Sequence, residues 1–205
     1  MSNSSSTAPS FSTHVSPAPE GSAAATEWVV LVDDRDRERG QMEKMEAHRA
    51  GELHRAFSVF VVNGAGELLL QQRAWEKYHS GGLWTNTCCS HPRPGEPVEA
   101  AAVRRLREEM GLACALKPAF QFVYRSALDH GLVEHEFDHV FIGRTDGVPV
   151  VNRAEVADFR YAGWEVVARE LEEAPERFTA WFRICFAEAR SRVESGEMGA
   201  AWSGG

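Results

Sequence analysis

Ala56-Phe-Ser-Val-Phe-Val-Val-Asn-Gly-Ala-Gly-Glu-Leu-Leu-Leu-Gln-Gln-Arg73 is the stretch whose reading decides the fold. Two apolar runs, 56–62 and 67–73, flank Asn63-Gly-Ala-Gly66. Those four residues suit a tight turn, so the stretch reads as a β-hairpin. Upstream, Glu27-Trp-Val-Val-Leu-Val-Asp33 is a short β-branched strand, and the charged run from Asp36 to His48 reads as a helix. Downstream, Val98, Ala102, Leu106 and Met110 recur every four residues, with Pro97 before them and Gly111 after them. That pattern is a capped helix. Strands follow around Phe120–Ser126, Val133–Gly143 and Phe159–Trp164. Helices over 166–173 and from Pro175 to about Val193 close the domain. The expected fold class is α+β, a mixed or antiparallel sheet flanked by helices.

The chain has 205 residues, with 22 Lys+Arg against 30 Asp+Glu, a net charge of −8. Its 43% hydrophobic and 25% charged residues are ordinary for a globular domain, and the length suits one domain with tails. No apolar run approaches the length needed to span a bilayer, so no membrane partner is expected. The acidic balance excludes nucleic-acid binding by bulk charge. It also disfavours an anionic substrate, unless metal ions or a local basic cluster reverse the sign. Residues 1–26 are Ser-, Ala-, Thr- and Pro-rich without Lys or Arg, which marks a disordered tail rather than a targeting segment. The folded unit is expected over 27–196, with a flexible end over 197–205. Four cysteines at this length do not form a disulfide framework and indicate reduced thiols in a cytoplasmic protein.

Several constellations carry chemistry. Gly95-Glu-Pro-Val-Glu-Ala-Ala-Ala-Val-Arg-Arg-Leu-Arg-Glu-Glu-Met-Gly-Leu112 resembles the Nudix box, a Gly-led loop and helix that holds a divalent metal against a diphosphate. Ala101 and Arg105 stand where a Nudix hydrolase has glutamates, and fewer carboxylates mean poorer activation of water by metal. In Cys88-Cys-Ser-His91 a thiol lies two residues from an imidazole, an arrangement suited to a nucleophile, a base or a metal neighbour. Strand alternation puts Glu134 and Glu136 on one face. Paired carboxylates there are costly unless a cation lies between them or one stays protonated. With His48, His54 and His91 they form an octahedral N/O donor set for Mn²⁺, Mg²⁺ or Zn²⁺.

Leu53-His-Arg-Ala-Phe-Ser58, Thr85-Asn-Thr-Cys-Cys-Ser-His-Pro92, the degenerate Nudix box and Val133-Glu-His-Glu136 occur together in this order. The chain resembles the type 1 isopentenyl-diphosphate delta-isomerases of the Nudix superfamily from about residue 42 to Trp181. The resemblance implies interconversion of isopentenyl and dimethylallyl diphosphate in isoprenoid biosynthesis, by protonation and deprotonation through a tertiary carbocation. It implies that His48, His54, His91, Glu134 and Glu136 ligate one divalent metal, and that Glu109 helps hold the Mg²⁺ that comes with the diphosphate. No flavin is implied. Lys44, Arg73 and Lys77 match diphosphate-gripping positions, and Arg105 is expected to join them. Cys89, Glu136, Tyr124 and Trp181 match the catalytic positions. Glu136 is the expected proton donor to the alkene, Cys89 the thiolate that removes the second proton, and Trp181 the π face for the cation. The only partner implied is a small prenyl diphosphate, for a monomer or weak homodimer. His79, His130, His135 and His139 match no ligand position and read as packing or surface residues. Two alternatives stay open: a Nudix-type diphosphate hydrolase, and a metal-binding module without catalysis.

Overall fold

The central strand of the sheet, β3 (His54–Val62), has one edge wholly occupied and the other divided among three partners. Along the first edge runs β8 (Val133–Arg144), parallel, in a register that sets His54 beside Glu136 and Val62 beside Arg144. The second edge pairs with β1 (Trp28–Val32) at His54, with β6 (Cys88–Ser90) over 57–59, and with β4 (Leu68–Arg73) at Val61 and Val62. Thus β3 and β4 do form the expected hairpin, but they part after two residue pairs. The gap is wedged open by Thr87, whose Oγ1 accepts from Val61 N–H at 2.8 Å and donates to Leu69 O at 2.6 Å. The mixed nine-stranded sheet is completed by β2 (Glu38–Glu43) on β1, β5 (Trp84–Thr85) and β9 (Val156–Ala162) on β4, and β7 (Leu116–Ala127) on β8.

This computed structural model describes Met1 and residues 26–195. The tail expected over 1–26 lies outside the described residues except at its ends, and the end expected over 197–205 lies wholly outside them.

Period-two alternation on β3 supplies two cores. Phe57, Val59 and Val61 pack with Cys88 against Ala101, Ala102, Leu106 and Met110 of α2 (Val98–Met110). Phe60 and Val62 face the other way, onto α3 (Trp164–Glu173) and α4 (Ala180–Glu194) through Trp164, Val167, Phe182 and Phe186. Leu106 is fully buried, so its truncation to Ala would cost about 2–5 kcal/mol. Gly111 closes α2 at φ +66°, where an added Cβ would lie 2.5 Å from Val150 O, so no other residue fits there without displacement.

Three expectations were off. Asp36 to His48 is not one helix: β2 covers 38–43, and α1 (Lys44–Ala50) begins only where the Glu43 carboxylate accepts from Met45 and Glu46 N–H. Backbone pairing with β1, from Trp28↔Glu43 to Val32↔Glu38, overrides the charged composition. The last helix starts at Ala180 rather than Pro175, because Pro175–Arg177 forms a separate 3₁₀ turn. The strand expected over 159–164 runs from Val156 to Ala162 instead, and Trp164 opens α3. Among the described residues no helix is long and apolar enough to cross a membrane.

Candidate active site

Register alone aligns the centre of the site. Glu136 on β8 has His54 beside it on β3 and Tyr124 beside it on β7. One helical turn places Lys44 and His48 on the same side of α1, and β6 with the loop after it brings in Cys89 and His91. The donor atoms of His48, His54, His91 and Glu136 lie within 4.8 Å of one another. Glu134 gathers instead with His48 and His79 under the same limit. It connects to Glu136 through Tyr124, whose hydroxyl is 3.1 Å from Glu134 Oε2 and 2.7 Å from Glu136 Oε2.

The hydrogen bonds of the imidazoles fix their orientation. His48 Nδ1 lies 2.7 Å from Lys44 O, and His54 Nδ1 lies 2.8 Å from Glu52 O. Each Nδ1–H donates outward, which leaves Nε2 as a bare lone pair aimed inward. His48 Nε2 is buried without a partner. His54 Nε2 faces His91 Nε2 at 3.2 Å, and His91 Nε2 is 2.9 Å from Glu136 Oε1. Inward lone pairs, an orphaned nitrogen and a carboxylate are the donor set of a divalent cation, so the residues fit a metal.

Burial sets the resting charges. Desolvation lowers His91 to about 3, against the pull of Glu136, so this ring is neutral. Burial and then the neighbouring Glu136 carboxylate raise Glu134 well above the usual carboxylate range. Burial would raise Glu136 too, but the His54 and His91 imidazoles against its carboxylate outweigh it and hold Glu136 well below that range. The Cys89 thiol is pushed up by burial, with the Arg73 charge opposing.

A cavity opens onto these groups. Its lining includes the largely buried Arg73, Cys89, Glu134, Glu136 and Trp181, its inner end, and the more exposed Lys44, Lys77 and Arg105, its mouth. The mouth cations are already paired. Lys44 Nζ is 2.6 Å from Glu27 and Lys77 Nζ 2.5 Å from Glu155. Arg105 reaches Glu108, Glu109 and Glu155 at 3.0, 2.6 and 3.2 Å. Glu109 itself is buried between Arg105 and Gln71, whose Nε2 donates to it at 3.1 Å. Arg73 lies over the Trp181 ring, 5.2 Å from its centroid, so the indole face is turned into the cavity. Cys88 faces the opposite core, beneath α2.

Every expected site residue therefore falls in or directly behind this one cavity. The sequence reading missed His79 and Glu155. His79 is buried and lines the cavity, with Nε2 3.7 Å from Glu134 Oε1. Ser80 beside it holds φ +52°, a strained backbone that leaves no mark in the sequence. Glu155 meets Lys77 across 78 positions of chain, which no spacing reveals. His135 and His139 take the packing roles expected of them, against Gly51 O at 3.0 Å and Asp36 at 3.0 Å.

The NUDIX domain profile matches residues 52–182. A curated relative from Pectobacterium atrosepticum, named Isopentenyl-diphosphate Delta-isomerase, is 57% identical over 159 residues, 78% of this chain and 89% of its own length. One from Aromatoleum aromaticum, Isopentenyl-diphosphate Delta-isomerase 1, is 54% identical over 77% of this chain and 89% of its own. Among solved structures, a Deinococcus radiodurans protein superposes with a TM-score of 0.62 at 22% identity, over 72% of this chain and 90% of that one. A MutT protein from Methanosarcina mazei Go1 gives 0.56 at 18% identity, over 71% and 95%. These two likenesses concern the fold alone.

Proposed function

The chain belongs to the isopentenyl-diphosphate Delta-isomerases of the NUDIX family, and we propose that it interconverts isopentenyl and dimethylallyl diphosphate through a tertiary carbocation, with 27–196 as the catalytic domain. The observation that carries this reading is a thiol and a carboxylate, Cys89 and Glu136, lining one cavity together with Trp181. An unactivated alkene is a weak base, so its protonation needs a positioned acid, and the new cation needs a group that stabilises charge without adding to it. A desolvated indole face supplies about 2 kcal/mol or more. Trp181 and Tyr124 are almost fully buried, which keeps out the water that would trap the cation as an alcohol.

Cys89 and Glu136 are the acid–base pair of this reading: one delivers a proton to an alkene carbon, the other removes a proton from a carbon beside the cation, and the pair exchanges charge state as the double bond moves. Tyr124 bridges Glu136 to Glu134 through its hydroxyl.

His48, His54, His91 and Glu136, with Glu134 behind them, would hold one divalent ion, Mn²⁺, Mg²⁺ or Zn²⁺. When bound, this ion fixes the charge and orientation of Glu136. Glu109 would help hold the Mg²⁺ that accompanies the diphosphate, and Lys44, Arg73, Lys77 and Arg105 would take the phosphate oxygens. No step calls for flavin. All four cysteines are free, the state of thiols in a reducing compartment, which supports a cytoplasmic location. The substrate is a small prenyl diphosphate, handled by a monomer or weak dimer without nucleic acid.

Arg105 argues against hydrolysis. Its guanidinium lies 2.6 Å from Glu109, a cation on the carboxylate that a hydrolase would commit to metal-activated water. Incubation with isopentenyl diphosphate, Mg²⁺ and Mn²⁺ should yield the allylic isomer. Released phosphate or pyrophosphate without an allylic product would overturn the reading.

A further inference from the structure

Asn86 sits between β5 and β6, fully buried and outside the acid–base and diphosphate groups. Its Oδ1 accepts from Trp181 Nε1–H at 3.1 Å and from Thr85 Oγ1 at 2.8 Å. Its Nδ2 donates to Val59 O at 3.1 Å and to Cys88 O at 2.8 Å. Every hydrogen-bonding capacity of the amide is thereby used. Thr85 Oγ1 in turn accepts from Thr179 Oγ1 at 2.9 Å, on the residue that precedes α4. One side chain thus joins the backbone next to Cys89 to the indole on the first turn of α4.

We propose that Asn86 is a positioning residue for the carbocation step: it holds the Trp181 face toward the reacting carbons and fixes its separation from Cys89. This rests on the isomerase reading above. A cation–π contact depends on whether the ring presents its face or its edge, and the Nε1–H bond to Asn86 removes the freedom to turn. The arrangement is set before any substrate arrives, since the ring face already attracts the Arg73 guanidinium. An acceptor on the indole N–H also shifts electron density into the ring, which strengthens its hold on a cation. Both partners are buried, so loss of the Asn86 acceptor leaves the indole N–H a desolvated donor.

The experiment compares Asn86→Ala with Thr85→Val, which cuts the same buried network but spares the Asn86–Trp181 bond. For Asn86→Ala, kcat should fall about 100-fold while KM stays within about twofold, because the diphosphate grip lies elsewhere. A larger share of turnovers should also end as the tertiary alcohol, in which water adds its oxygen to the cationic carbon and gives up a proton. Thr85→Val should lower the thermal midpoint yet keep kcat within about threefold. In case Asn86→Ala does not fold, Trp181→3-benzothienylalanine keeps the bicyclic face and puts sulfur where the N–H was. It should show the same fall in kcat, held KM and raised alcohol fraction. Unchanged kcat in the folded variant, kcat and KM changing together, an unmoved alcohol fraction, or Thr85→Val matching Asn86→Ala would each overturn the proposal. Wild-type enzyme run in parallel separates the two layers. If it makes no allylic product, the isomerase reading falls and this inference with it; if it turns over and the variants behave as it does, only this inference falls.

Discussion

The inner end of the cavity and its mouth solve opposite charge problems. Inside, ligand atoms gather without a cation between them: His48 Nε2 has no partner, the Nε2 atoms of His54 and His91 lie 3.2 Å apart, and Glu134 shares a hydroxyl with Glu136. At the mouth the cations Lys44, Lys77 and Arg105 are each matched by a carboxylate. The inner end is therefore built around a charge that has to be brought to it. The mouth is built around paired charges, and on the proposed reading a diphosphate would displace Glu27 and Glu155 from Lys44 and Lys77. Surface-type ion pairs are worth only about 0–1 kcal/mol, which makes that exchange cheap.

The severest way to break this contrast is at the inner end. Cys89→Ala should reduce kcat by about 10³–10⁴-fold, the range of a lost general acid or base, while metal content and thermal midpoint stay near wild type. A metal-binding module without catalysis would show no turnover to lose. Removing metal with a chelator comes next. Activity should vanish, and the stripped protein should become acid-sensitive in a defined window. His91 is held to about 3 in the fold against about 6.5 unfolded, so between those values only the unfolded chain takes the proton. Stability should thus fall as pH drops from about 6.5 toward 3, by several kcal/mol at most. Urea midpoints of stripped and reloaded protein across that range would check it, the reloaded form showing a weaker slope.

Changes at the mouth should be smaller and confined to binding. Lys77→Ala should raise KM for the diphosphate about tenfold, equivalent to about 1.4 kcal/mol, with kcat within a few-fold. Glu155→Gln should give the smallest effect and the opposite sign, lowering KM about twofold because Lys77 and Arg105 no longer need to be released. A rise in KM there would mean that Glu155 holds the cations in place for the substrate rather than competing with it.

What could be read from the chain follows the same division. The inner groups lie in short local patterns whose placement needs only strand alternation or a short loop, as in Glu134-His-Glu136 and Cys89-Ser-His91; Lys44 at the mouth lies one helical turn from His48. The hairpin at 63–66 and the helix ending at Gly111 were legible for the same reason, since both are punctuated by glycine. Strand β2 was not, because an edge strand with little burial carries no apolar alternation and is held by backbone pairing to β1. Glu155 and His79 were hidden for a different reason. Their roles come from partners far along the chain or from a strained backbone, and neither leaves a periodic trace.

The divided edge of β3 also bears on how the protein comes into being. His54 and Glu136 are neighbours in a parallel pairing that closes only after β7 and β8 have emerged, and Trp181 arrives later still with α4. Contacts that distant in sequence make folding slow and leave strand edges uncovered meanwhile. A nascent chain that stops short of β8 lacks Glu134 and Glu136, so the proposed donor set is complete only once β8 has been made and has paired with β3.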